Sequence, residues 1–425
     1  MSIELITFLS ILTVFLAGCF LFKLPVSISL VMSAVVGTLV AGKGFALRDM
    51  VEGMFSYVDT ILVIVTAMIF MKVIQESGTL DAIVSVIIER FHKVPALMLC
   101  FIMLIIMFPG MITGSSTACV LSAGAIMAPV LMTMGVPALE TGCILAMGGL
   151  LGMIAPPTNI PAMIIGAGID IPYSGFGLTL ALLTFPLAFL FVLMFGLKYV
   201  KKMDYQKVQE NLDKNVREKY GFKIYLPLLL VIALMIINNV VTAIPDVGMP
   251  LIFLISAIVG CFTGKKINIA KASKDAVNEA LPVMGILMGV GMLIQVMTLT
   301  GVRGLIVTSC LRLPGWARYV AMSVSIPLFG AVSSFGAASV LGVPFLLAFL
   351  AKEEIIVASG ISLIASLGDM MPPTALAGMF AAQVVGLKKY TPVLKKCLIP
   401  CLIMIAWAIL FIVFANQLEP LLILK

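Results

Sequence analysis

Two short segments carry the groups best suited to chemistry, GMIAPPT from Gly152 to Thr158 and GDMMPPT from Gly368 to Thr374. Within a helix, Pro156 and Pro157 cannot donate to the carbonyls of residues 152 and 153, nor Pro372 and Pro373 to those of 368 and 369. Each pair strips two backbone oxygens of their donors inside an apolar stretch. Broken membrane helices place such unwound carbonyls on cations and turn half-helix N-termini toward anions. Hydroxyls for the same purpose stand at two Gly/Ser-rich breaks, FPGMITGSSTA (Phe108 to Ala118) and PLFGAVSSFGAAS (Pro327 to Ser339). They are Thr113, Ser115 and Ser116 in the first and Ser333 and Ser334 in the second. Asp369 puts a carboxylate where burial is costly, which makes it a candidate cation ligand or proton carrier.

No Lys or Arg occurs between Lys93 and Lys198 or between Lys352 and Lys388. An anion held by these segments therefore meets helix N-termini, bound cations, and groups such as Ser115, Asn159, Ser333 and Ser334. Other chemistry is poorly supplied. His92 is the only histidine, so an ordinary metal site or a His-based triad has no anchor. The eight cysteines are spread through apolar segments without CxxC spacing and read as small buried hydrophobes. Gly368-Asp369 superficially resembles the glycine-aspartate motif of presenilin-type proteases, but no Tyr-Asp partner accompanies it and no HExxH exists. The chain reads as neither an enzyme nor a cofactor protein. A channel needs a ring of filter carbonyls or charges, and two opposed hairpins suit alternating access better.

The elements that position these groups must work in lipid. Of 425 residues, 62% are hydrophobic and 11% charged, against about 25% charged in soluble chains, and the mean hydropathy is +1.20. Ten to twelve apolar segments of spanning length are expected, the first a retained helix rather than a signal peptide. The net charge of +7 reflects short basic clusters beside the spans and not a nucleic-acid surface. The one long polar stretch, 198–223, carries eight Lys/Arg against four Asp/Glu and reads as a cytoplasmic linker between two halves. Threading from it puts both termini outside, with 20 Lys/Arg cytoplasmic and 7 external.

The halves resemble each other. Ser77-Gly78 matches Thr300-Gly301, Pro109 matches Pro327, Pro129 matches Pro344, and Pro156-Pro157 matches Pro372-Pro373, at offsets of 223, 218, 215 and 216. The expected fold is an all-α polytopic membrane protein of two inverted-topology repeats, each with a re-entrant helical hairpin and a Pro-Pro broken helix. Residues 1–197 form the first repeat: scaffold spans 1–76, an interfacial arm 79–92, a hairpin 95–135 and a broken helix 137–170. Residues 224–425 form the second: scaffold 224–300, arm 302–312, hairpin 314–350 and broken helix 354–386. The first arm is amphipathic, apolar at 80, 83, 84, 87, 88 and 91 and polar at 81, 85 and 89. The hairpin tips are expected near 110–116 and 330–336, meeting close to the bilayer midplane.

T-G-S-S at 113–116 and G-x-x-x-P-P at 152–157 and 368–373, set in two halves of about 200 residues, resemble the large DctM-type membrane subunit of tripartite ATP-independent periplasmic (TRAP) transporters. The likeness extends over essentially the whole chain and places it in the wider ion-transporter superfamily. It implies a Na+-driven elevator-type permease, a symporter importing small organic acids such as dicarboxylates across a bacterial or archaeal cytoplasmic (inner) membrane. It also implies a periplasmic substrate-binding protein and a small four-helix membrane subunit as partners. That subunit is expected on a separate chain, because no four-helix segment stands outside the two repeats. Carried onto matching positions, one Na+ site uses Thr113, Ser116, Gly152, Ala155 and Pro157, and the other Gly330, Gly368, Met371 and Thr374. Many family members read G-L-I-T-P-P at the second break, where Asp369 and Met371 stand here; the carboxylate opens a proton-coupled alternative. A stand-alone carboxylate transporter of the same superfamily, working without a binding protein, is the second reading.

Overall fold

The computed structural model describes residues 2–201, 203, 205, 219–240, 247–372 and 374–423. Most of the expected linker and Pro373 lie outside them. The described residues are helical with no strand. Eight helices among them are long and apolar enough to cross a membrane, from Ile3–Leu21 to Thr391–Val413. The sequence suggested ten to twelve such segments. The difference is one of length, because four further apolar helices, Val26–Val40, Ala138–Ile154, Met249–Thr263 and Ser334–Ala348, fall between 10 and 17 residues. The 15 residues of Val26–Val40 reach only about 22 Å at the helical rise, short of a hydrocarbon core of about 30 Å.

The helices pack in two groups, each drawing on both ends of the sequence. In one, the 31-residue helix Ile269–Leu299 runs against Val26–Val40, Leu47–Phe55 and Val58–Glu76, while Met249–Thr263 lies between Val58–Glu76 and Leu226–Val240. Small residues permit this closeness. A Cβ on Gly53 would stand 2.3 Å from the Gly291 carbonyl oxygen, so neither position tolerates a side chain without separating the helices. This group forms a wall against which the second group rests.

The second group contains two helical hairpins and two interrupted helices. Pro95–Thr113 turns at Gly114 (φ 65°) and extended Ser115 into a helix that starts at Ser116 and runs on to Thr133. Gly315–Gly330 turns through Ala331 to Ser333 into Ser334–Ala348. Each returning arm opens with a serine cap and then a π-helical turn, at Cys119–Gly124 and Ala338–Gly342. Ser115 Oγ accepts the Ala118 N–H at 3.2 Å, and Ser333 Oγ accepts that of Gly336 at 3.1 Å. Ala138–Ile154 and Ile160–Ala167 flank the first Pro-Pro segment, Glu354–Ser366 and Leu376–Val384 the second. The four half-helices cross-pack, Ala138–Ile154 against Leu376–Val384 and Ile160–Ala167 against Glu354–Ser366. Two shorter helices, Thr79–Phe91 and Val302–Arg312, each start from a left-handed glycine, Gly78 (φ 81°) and Gly301 (φ 76°).

Candidate functional site

Each interrupted helix is pinned to one hairpin tip through the backbone N–H of a threonine. In the first, the helix stops at Ile154, Ala155 is extended, and Pro156-Pro157 is a cis pair. The Thr158 N–H then donates to the Met111 carbonyl at the hairpin tip, 3.1 Å away. In the second, Met371 is extended, and both the N–H and the Oγ1 of Thr374 donate to the Ala331 carbonyl, at 3.4 and 2.7 Å. The backbones touch beside both links. A Cβ on Gly110 would lie 2.8 Å from the Gly152 carbonyl carbon, and one on Gly368 would lie 2.4 Å from Gly330 C and O.

The freed carbonyls are partly reused. Gly152 O accepts the Ala155 N–H at 3.3 Å, and Gly368 O accepts that of Met371 at 3.0 Å. A carbonyl oxygen carries two lone pairs, so one accepted bond leaves capacity for a cation. Thr158 Oγ1 is buried and has no hydrogen-bond partner among the described residues, whereas its counterpart Thr374 Oγ1 is engaged. Such an orphan is costly in a dry interior unless something else occupies it.

The sequence-derived residues gather as follows. Thr113 and Ser116 stand at the first hairpin tip and Gly152, Ala155 and Pro157 at the first break, with Thr113 Oγ1 donating to Pro109 O at 2.7 Å. Gly330, Gly368, Met371 and Thr374 surround the second tip-break contact. Asp369 joins them: only 5% exposed, its Oδ2 accepts a short hydrogen bond from Ser116 Oγ in the first half, and it shares a cavity lining with Ser334. The carboxylate of the second break is thereby tied to the hairpin tip of the first half.

Ser115, Ser116, Ser333, Ser334, Asp369 and Thr374 share the lining of one cavity of about 740 Å³ between the tips and the wall helices. Asn159 is not part of that lining. Fully buried, it accepts the Ala162 N–H through Oδ1 at 2.9 Å and donates through Nδ2 to Ile154 O and Ser362 Oγ, each at 2.9 Å. Its own N–H donates to the Tyr173 hydroxyl at 2.9 Å. Both amide hydrogens are committed to holding the break, so its place is a cap and not a wall of the cavity.

Sequence reasoning missed the opposite wall of the cavity. Lys72 and Gln75 reach it from Val58–Glu76 and Glu279 from Ile269–Leu299. The available signal was a lysine within the last two turns of Val58–Glu76, which charge counting assigned to the cytoplasmic boundary alone.

A family profile described as "Tripartite ATP-independent periplasmic transporter, DctM component" matches residues 13–418. The chain belongs to the DctM family. This DctM chain is therefore a multi-pass component of a transporter family and not of an enzyme family. Its fold is similar to that of the Alcanivorax borkumensis YdaH transporter, whose crystal structure is described as revealing an unusual topology. The TM-score is 0.63 at 14% identity, over 99% of each chain. No curated protein matches the sequence.

Proposed function

We propose that this DctM protein is the permease subunit of a binding-protein-dependent system that imports a small organic acid anion, driven by Na+ through an elevator movement. The observation that carries the reading is the duplicated tip-break contact flanking one polar cavity. At each contact an interrupted helix presents backbone oxygens beside hairpin hydroxyls, a donor set of hard oxygens without His or Cys that suits an alkali cation. Thr113, Ser116, Gly152, Ala155 and Pro157 hold one ion, and the unpartnered Thr158 hydroxyl stands beside them. Gly330, Gly368, Met371 and Thr374 hold the other. Ser115, Ser333 and Ser334 face the substrate from the two tips.

The two halves act as inverted-topology repeats, 1–197 and 224–425, joined by the cytoplasmic linker 198–223. In that arrangement the hairpins and broken helices form the moving body, and the scaffold spans 1–76 and 224–300 form the fixed wall. Asp369 adds negative charge between the tips and favours cation binding at the first site. Its burial, at 5% exposure, supports a second reading, in which this carboxylate carries a proton in place of one Na+.

A small four-helix membrane subunit and a periplasmic binding protein complete the system in the inner membrane. Expressing the chain with and without these neighbours in cells unable to take up the solute tests the assignment. Accumulation that requires all three components is expected. Equal uptake by the chain alone contradicts the tripartite assembly and supports a stand-alone carrier.

A further inference from the structure

The wall of the cavity opposite the hairpin tips has no role in the scheme above, yet it holds an ion pair. Lys72 Nζ lies 2.8 Å from Glu279 Oε1, with the side chains 20% and 62% exposed. Lys72 is the one cationic residue among the described residues lining this cavity. Both members of the pair line the same cavity as the hairpin serines, so the charges of Lys72 and Glu279 face the space the tips enclose. An ammonium has three donors, and among the described residues Glu279 Oε1 is the one partner that Lys72 engages by hydrogen bond. Glu279, the more exposed member, has room to swing aside within the cavity it lines, leaving the ammonium directed at that space.

We propose that Lys72 is the wall-side anion contact of this cavity, exchanging Glu279 for a carboxylate of the transported solute. The inference rests on the organic-anion reading above and deepens it. The solute carboxylate takes the place of the Glu279 carboxylate on Lys72, while its remaining polar groups meet Ser115, Ser333 and Ser334 on the tips. Glu279 is then a built-in competitor: it keeps Lys72 neutralised when the cavity holds no anion, and it speeds release by reclaiming the lysine. Because Lys72 belongs to the wall helices and the serines to the hairpins, the complete anion site exists only when the tips rest against this wall. The contact therefore discriminates between conformations as well as between solutes. A cavity of about 740 Å³ accommodates a solute of a few carbons with water, within the range of about 300–1,000 Å³ usual for small-molecule sites.

The test is calorimetric titration of the full-length chain in lipid nanodiscs, in sodium buffer, with acetate, lactate, succinate and citrate, for the wild type, K72Q, E279Q and the double variant. Loss of a charge-assisted contact weakens the best-bound acid by about tenfold or more in K72Q. E279Q binds it several-fold more tightly, because the internal competitor is gone, and the double variant behaves as K72Q. A structural pair gives a different pattern: both single variants lose affinity alike and the double variant recovers. That pattern, or K72Q affinity equal to wild type, overturns the inference while leaving the organic-anion reading intact. If none of the four acids binds the wild type, the inference falls, while the organic-anion reading is decided separately by uptake with all three components. E279Q retains Lys72, so its opposite sign remains readable if K72Q does not fold.

Discussion

A methyl group on Gly368 is the sharpest perturbation the second tip-break contact allows. The added Cβ stands 2.4 Å from Gly330 C and O, where ordinary contacts begin at 3.4 Å, so the backbones must separate by about 1 Å. Overpacking of this kind costs about 1–3 kcal/mol, and the separation also draws Ala331 O away from Thr374 Oγ1, now 2.7 Å apart. The oxygens assigned to the second cation then no longer converge. A bound ion at 100 times its Kd stabilises the folded chain by about 2.7 kcal/mol, and a tenfold weaker Kd removes about 1.4 kcal/mol of that. The assay is thermal unfolding of the purified chain in sodium chloride against choline chloride. Gly368→Ala should lower stability in both salts and lose about half of the sodium-dependent increment. Gly177→Ala is the control, since an added Cβ there meets nothing within 4 Å in the helix Phe176–Val200; it should leave the sodium increment unchanged. A full sodium increment in Gly368→Ala refutes the placement of a cation at this contact.

Three further outcomes are expected. Asp369→Asn removes the charge that accepts from Ser116: as a cation-site carboxylate its loss weakens sodium dependence about tenfold or more, while sodium-independent, pH-driven uptake that disappears in the variant would establish proton carriage instead. Asn159→Ala deletes the Ala162 cap and the donors to Ile154 O and Ser362 Oγ, so it should lower thermal stability by about 1–2 kcal/mol and leave anion selectivity unchanged; altered selectivity at normal stability would restore Asn159 to the substrate site. A cysteine at Lys207 should resist a membrane-impermeant maleimide applied outside sealed cells, and labelling there would invert the topology.

What was legible in the sequence follows from the backbone. Proline lacks an N–H, so the ends of the helices before Pro156 and Pro372 could be read directly, and the Gly/Ser runs at 113–116 and 330–336 marked the turns between hairpin arms. The left-handed glycines at 78 and 301 fell at matching landmarks for the same local reason. Tertiary juxtaposition was not legible. Ser116 and Asp369 are 253 residues apart, and no periodicity relates them. Lys72 looked like a boundary charge because its meeting with Glu279, 207 residues on, depends on how two long helices pack. Asn159 looked available to a ligand because its four partners come from the break itself, from Ile160–Ala167, from Tyr173 and from the other half of the chain. The ten to twelve apolar segments expected correspond, among the described residues, to eight long helices and four of 10 to 17 residues: apolar composition marks lipid-compatible segments but does not fix helix length.

The measurement that bears most directly on cation-driven anion import is solute uptake into proteoliposomes containing the chain, the small membrane subunit and the binding protein. An inward sodium gradient should drive accumulation that a sodium ionophore abolishes and that ATP without the gradient does not support. Accumulation that persists in sodium-free medium, or that follows ATP and ignores the gradient, would contradict the account.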